Sequence, residues 1–183
     1  MLKRIITWLF FIVIVGGGAL AYYSGYFTKI VITEQEMGPY TLAYEAYTGA
    51  YSTVGPVMDK IYNGLIEDAQ IKTDKWFGIY YDDPATVAAD QLRSDIGVII
   101  DEQYFSELSR IQNKYAVKTW NKQKALVVEF PYKSQLHIIA GVMKVYPELK
   151  KYILANAIEM HEVMEIYDRT NKKIFYVMPI QQP

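Results

Sequence analysis

Between residues 40 and 180 the spacing of apolar positions switches between two periods, and the switches mark the elements. Residues 40–51 alternate at period two, with Leu42, Tyr44 and Ala46 on one face and Thr41, Ala43, Glu45 and Tyr47 on the other. This predicts a strand that Gly49 lets bend. Val57, Ile61 and Leu65 with Met58, Tyr62 and Ile66 then make a helical stripe, begun by Pro56 and capped by Ser52 or Thr53. Two strands follow at 76–81 and 96–100, separated by Asp82-Asp83-Pro84 and a polar loop. Arg93 and Asp95 are expected to pin that loop. Phe105, Leu108 and Ile111 predict a helix over 101–115 that links two halves.

The second half repeats the order. Short extended runs at 115–120 and 125–130 flank a polar turn at 121–124, and Ile138, Ile139, Val142 and Val145 predict a helix over 135–146. Pro147 is expected to open a second helical segment carrying Leu149, Tyr152 and Ile153. Val163 to Tyr167, a polar turn, and Ile174 to Ile180 complete a closing hairpin. The predicted class is α+β: two strand–helix–strand–strand units, about 40–101 and 115–181, related by a pseudo-symmetric seam. Gly78-Ile79-Tyr80 answers Glu165-Ile166-Tyr167, and Gly49-Ala50-Tyr51 answers Phe130-Pro131-Tyr132.

Residues 1–27 read as a membrane segment. After Lys3 and Arg4, residues 5–23 carry no charge, close to the ~20 apolar residues that cross a bilayer as a helix. Two readings stand: a signal peptide ending in Gly16-Gly17-Gly18 and Ala19-Leu20-Ala21, or an uncleaved single-pass anchor with Trp8, Tyr22, Tyr23 and Tyr26 at the interfaces. The anchor is favoured, because the apolar run continues past the small residues. Lys3 and Arg4 against Lys29 put the N-terminus in the cytoplasm and the domain on the periplasmic or exoplasmic side. The alternatives are a soluble exported domain or one in the cytosol. Residues 28–39 form a linker, with Ile30-Val31-Ile32 as a first strand and Gly38-Pro39 closing it.

Composition narrows the function. A net charge of -1 offers no basic surface for phosphates, which argues against nucleic acid, and with no cysteine there is no disulfide, thiolate zinc site or thiol nucleophile. The 17 tyrosines supply flat rings with polar tips, suited to a wet aromatic pocket. His161-Glu162-Val163-Met164-Glu165 lacks the second histidine and the helix of a zinc protease. Asp82-Asp83-Pro84 is read as a turn former, and His137 as a capping or surface residue. No metal and no cofactor are expected.

Several of these pieces together resemble the GyrI-like effector-binding domain: Gly49-x-Tyr51 leading into a helix, the turn Gly78-Ile79-Tyr80-Tyr81-Asp82-Asp83-Pro84, Arg93 to Gly97, and Glu165-Ile166-Tyr167. The layout of a span followed directly by this domain also resembles a single-span endoplasmic-reticulum receptor for autophagy, whose adaptor role is not carried over. The resemblance implies a GyrI-like domain over 40–183, its halves related by a pseudo-two-fold, and a cleft between them in which a glutamate at the position of Glu165 pairs with cationic ligands. A carboxylate among tyrosines is costly to bury alone, and a lipophilic cation restores its partner and adds attraction to the rings. The expected ligand set is Glu165, Tyr167, Tyr80, Trp76, Tyr44 and Tyr47, for a small hydrophobic or cationic molecule. Two other readings remain: a protein-binding module whose cleft is filled by its own side chains, and a hydrolase with Glu165 as general base and no other catalytic residue assigned.

Overall fold

A computed structural model describes residues 2–180. Helix α1 (Leu2–Tyr23) precedes β1 (Ile32–Met37), β2 (Tyr40–Thr48), α2 (Gly55–Ala69), β3 (Lys75–Tyr80) and β4 (Arg93–Ile100). A 3-10 segment (Glu102–Glu107) and the single turn α3 (Leu108–Ile111) lead to β5 (Ala116–Trp120) and β6 (Gln123–Pro131). Helix α4 (Gln135–Ala155), β7 (Val163–Asp168) and β8 (Lys173–Pro179) complete the chain.

The strands form one curled antiparallel sheet in the order β1-β6-β8-β7-β3-β4-β2-β5. Connectivity enforces the curl. Strand β1 lies at one end of the order, yet the Gly38-Pro39 link joins it to β2 near the other; Asn121-Lys122 likewise joins β5 to β6. On a flat sheet β1 and β2 would be roughly 29 Å apart at ~4.8 Å per step, whereas a two-residue link reaches only about 10 Å. The sheet therefore bends until the links meet, and Gly38 lies against the Trp120 and Asn121 carbonyls.

Both faces of the central strands are buried. The concave face is filled by its own side chains, among them Leu42, Phe77, Ile79, Ile99, Met164, Ile166 and Val177. Alternation sends their neighbours to the other face, where the helices lie. Ile61 and Leu65 of α2 cover Ala43, Val98 and Ile100, while Ala140, Val145, Leu149 and Ile153 of α4 cover Leu126, Val128, Phe130 and Tyr176. Between α2 and α4 the central strands β3 and β7 are left for a cleft. They pair with Gly78 opposite Glu165.

Several elements differ from the sequence reading. Strand β1 begins where Ile30-Val31-Ile32 was expected to end, because its register with β6 starts at Ile32↔Val128. Ser52 and Thr53 do not cap α2: Thr53 Oγ1 donates to the Ala50 carbonyl (2.6 Å) in a 3-10 turn (Tyr51–Thr53), and the helix opens with no side-chain cap. The linking helix over 101–115 shrinks to a 3-10 segment and one α turn, since only Ile111 of its stripe is fully buried and Phe105 is exposed. Pro147 lies inside a continuous α4, outward-facing, with Val145, Leu149 and Ile153 packed on either side of it. The proline removes one backbone bond, to Met143, and the buried stripe carries the helix across the gap.

One described helix, Lys3–Tyr23, is long and apolar enough to cross a membrane. Its end is joined tightly to the domain. Tyr23 meets His137 edge-on at 5.8 Å, Gly25 lies against His137 and Phe130, and Lys144 Nζ donates to the Tyr26 carbonyl and, at 2.5 Å, to the Thr28 carbonyl. His137 is consequently buried, not on the surface, and hydrogen-bonds Ser134 at 3.1 Å.

Candidate functional site

The floor of the cleft follows from strand parity. Trp76, Gly78 and Tyr80 of β3 and Val163, Glu165 and Tyr167 of β7 project to the helical side, while Phe77, Ile79, Met164 and Ile166 project to the concave core. Walls come from Tyr51, Val54 and Met58 on one side and Ile138, Val142 and Tyr146 on the other, enclosing about 1720 Å³. That is larger than the few hundred to ~1,000 Å³ usual for a ligand pocket, because the cleft opens broadly at its mouth.

Glu165 is 3% exposed. Its Oε1 accepts a hydrogen bond from the Tyr146 hydroxyl at 2.7 Å and its Oε2 one from Tyr167 at 2.5 Å. No Lys, Arg or His pairs with it among the described residues. Burial pushes the Glu165 pKa up, and the two tyrosine hydroxyls pull it partly back by stabilising the carboxylate. The same burial and the nearby carboxylate push Tyr80, Tyr146, Tyr167 and Tyr176 above the usual tyrosine value, so all four stay neutral.

Gly78 gives Tyr80 its place. A Cβ at Gly78 would stand 2.7 Å from Tyr80 Oη, so the phenol lies folded over the glycine, directly across the strand pair from Glu165. Tyr51 packs against Tyr80 at 4.7 Å and Tyr132 against Tyr167 at 5.8 Å, so each floor tyrosine is backed by a second ring. Arg169 stacks on Trp76 at 5.1 Å, and the buried Trp76 Nε1 has no hydrogen-bond partner among the described residues. At the mouth, Asp82 takes both Arg93 Nε (3.0 Å) and Nη2 (2.7 Å), and Asp83 reaches Lys150 of α4 at 3.6 Å. Asp83 Oδ1 also accepts the Ala85 N–H at 2.8 Å, as a turn former does.

Of the six expected ligand residues, Glu165, Tyr167, Tyr80 and Trp76 converge in the cleft. Tyr44 and Tyr47 do not. Strand β2 is separated from β3 by β4; Tyr44 points to the concave side with Lys118 Nζ 4.5 Å from its ring, and Tyr47 bonds Thr53 at 2.7 Å. Arg93 and Asp95 both hold the loop after β3, Arg93 through Asp82 and Asp95 by accepting Tyr81 Oη at 2.7 Å while it pairs with Lys118. Tyr146 escaped the sequence reading, although Ile138, Val142 and Tyr146 follow each other at i, i+4 and i+8. Placing a helix end at Pro147 hid that stripe. No group of metal-ligating side chains occurs among the described residues.

No family model matches the chain. Among curated proteins it is similar to the testis-expressed protein 264 homolog of Mus musculus, 26% identical over an alignment of 171 residues that covers 88% of this chain. The chain spans 52% of the length of that relative. Among solved structures, SAV2435 bound to tetraphenylphosphonium has a TM-score of 0.55 at 19% identity, covering 82% of this chain and 94% of the other. The EcmrR C-terminal domain has a TM-score of 0.59 at 9% identity, covering 84% and 99%. At these identities the likeness is one of fold, and the fold is GyrI-like.

Proposed function

We propose that this chain is a membrane-anchored module that binds a small lipophilic cation in the cleft, with Glu165 as the counter-charge. The observation that carries the reading is a carboxylate at the cleft floor held by two tyrosine hydroxyls and no cation. Such a group is poorly compensated, and an incoming cation improves it while meeting four or five aromatic faces. That SAV2435 is bound to tetraphenylphosphonium in the same fold supports the ligand class. The proposal takes residues 28–180 as one domain built from two related halves and α1 as an uncleaved single-pass span. The excess of Lys3 and Arg4 over Lys29 supports a cytoplasmic N-terminus. Selective labelling from outside intact cells of a cysteine introduced at Gln103 tests that orientation; labelling only after permeabilisation overturns it. The autophagy adaptor role is no part of the proposal.

The test is thermal unfolding of the full chain in detergent micelles with tetraphenylphosphonium, alongside Glu165→Gln. The wild type is expected to be stabilised and the variant to bind about tenfold to a hundredfold more weakly, one to two steps of 1.4 kcal/mol. Equal stabilisation of both proteins excludes charge pairing. A second reading is favoured by the 3% exposure of Glu165: the tyrosines close the cleft and the molecule binds a protein partner over its mouth. Absence of stabilisation by any lipophile, charged or neutral, selects that reading.

A further inference from the structure

The wall of the cleft formed by α4 has an outer edge that the core does not use. Ile139 is 53% exposed, Val142 41% and Met143 64%, and all three border the cleft mouth. They stand within about two helical turns of His137, the residue that meets Tyr23 at the end of α1. The chain between α1 and the sheet is not a free spacer. Ser24 is buried, Gly25 lies against His137 and Phe130, Lys144 holds the Tyr26 and Thr28 carbonyls, and Ile30 and Ile32 join the core. The end of the apolar helix is thus fixed to the same helix that edges the cleft, and Tyr22, Tyr23, Tyr26 and Phe27 continue its exposed apolar surface.

We infer that the outer edge of α4 rests on the bilayer that holds α1, so that the cleft opens at the lipid surface and takes lipophiles already dissolved in the membrane. This rests on α1 being a span and on the cleft being a binding site. The occupant of the edge is the bilayer because contacts with the end of the span hold that edge at the membrane interface. The exposed trio makes favourable contact with acyl chains, and the exposed Lys133 just before the start of α4 adds a charge suited to phosphate headgroups.

The absence of cysteine makes the test direct. The full chain carrying Ile12→Cys, Met143→Cys or Gln103→Cys is labelled with bimane and reconstituted in phosphatidylcholine vesicles with brominated acyl chains. Quenching is expected at positions 12 and 143 and to be several-fold weaker at 103. Quenching at 12 with none at 143 beyond that at 103 overturns the docking while leaving the anchor intact. No quenching at 12 removes the anchor and the inference with it. In the second arm, Ile139→Gln with Met143→Gln lowers the ratio of tetraphenylphosphonium loading from vesicles to loading from micelles several-fold. An unchanged ratio overturns delivery from the membrane. If the wild type binds no tetraphenylphosphonium in micelles, the ligand reading of the cleft fails and entry from the membrane falls with it, while the quenching arm still decides whether the edge touches lipid.

Discussion

The two sides of the β3–β7 pair show how one seam serves two purposes. On the concave side Phe77, Ile79, Met164 and Ile166 are at most 3% exposed and pack in one apolar cluster. On the helical side the residues between them, Trp76, Gly78, Tyr80, Glu165 and Tyr167, keep their polar atoms near one another under a cleft. The backbone is shared, so the difference is entirely one of side chains at alternate positions. The first side sets how firmly β3 and β7 are joined; the second is free to hold an uncompensated charge because the first does not need its burial energy.

Substitutions on each side should separate the two roles. Phe77→Ala leaves a large void in the concave core and is expected to lower stability by about 4 kcal/mol in urea unfolding of the full chain in micelles. An effect under ~1 kcal/mol would mean that the concave face does not hold the β3–β7 seam together. Gly78→Ala pushes the Tyr80 ring off its seat and into the cleft; we expect a loss near 2 kcal/mol and weaker tetraphenylphosphonium binding by isothermal titration. A loss of stability with full binding would place Tyr80 outside the ligand's reach.

Glu165→Gln should do the opposite to the apo protein. The folded-state pKa lies above the ordinary glutamate value of 4.5, so the native state holds its proton more tightly than the unfolded chain. Stability is therefore full below that value and falls as pH rises through the folded pKa. Glutamine removes this fall, raising neutral-pH stability by roughly 1 kcal/mol and flattening the pH profile of melting between pH 4 and 8. A wild-type profile that rises with pH contradicts the raised pKa. Cation binding has the reverse sign and strengthens with pH, because the ligand selects the carboxylate. The smallest effect is expected of Tyr51→Phe, whose hydroxyl joins the Asp82 N–H at 3.0 Å and the Arg93 carbonyl at 3.0 Å. About 1 kcal/mol should be lost, with ligand affinity almost unchanged.

The periodicities carried most of the fold. Both main helices and the strands of both hairpins lie where the apolar spacing puts them, and Gly78 and Glu165, matched by the comparison of halves, are direct cross-strand partners. What the spacing could not give was strand order. Tyr44 and Tyr47 sit on opposite faces of one strand, so at most one could face a cleft, and β4 intervenes between that strand and the seam. The pairing of β5 with β2 and of β6 with β8 and β1 is equally invisible in a turn at 121–124 that looks like a hairpin. Pro147 misled for a different reason: local propensity ends a helix there, and tertiary burial on both sides overrides it.

The placement of β1 has a consequence for the order in which the molecule forms. Its partner residues in β6 lie far downstream, Ile32 with Val128 being 96 positions apart, and the β1 end of the curled sheet depends on that late pairing. Contacts of such separation form slowly, because loop closure must come first. During synthesis β1 leaves the ribosome right behind α1 and waits without a ladder. Its middle, Thr33-Glu34-Gln35-Glu36, is exposed and polar even in the finished sheet, where Glu34 and Glu36 meet Lys124 and Lys122. A strand that must wait is thereby kept from pairing with a neighbouring chain, and the lysines that complete it arrive on the segment it was waiting for.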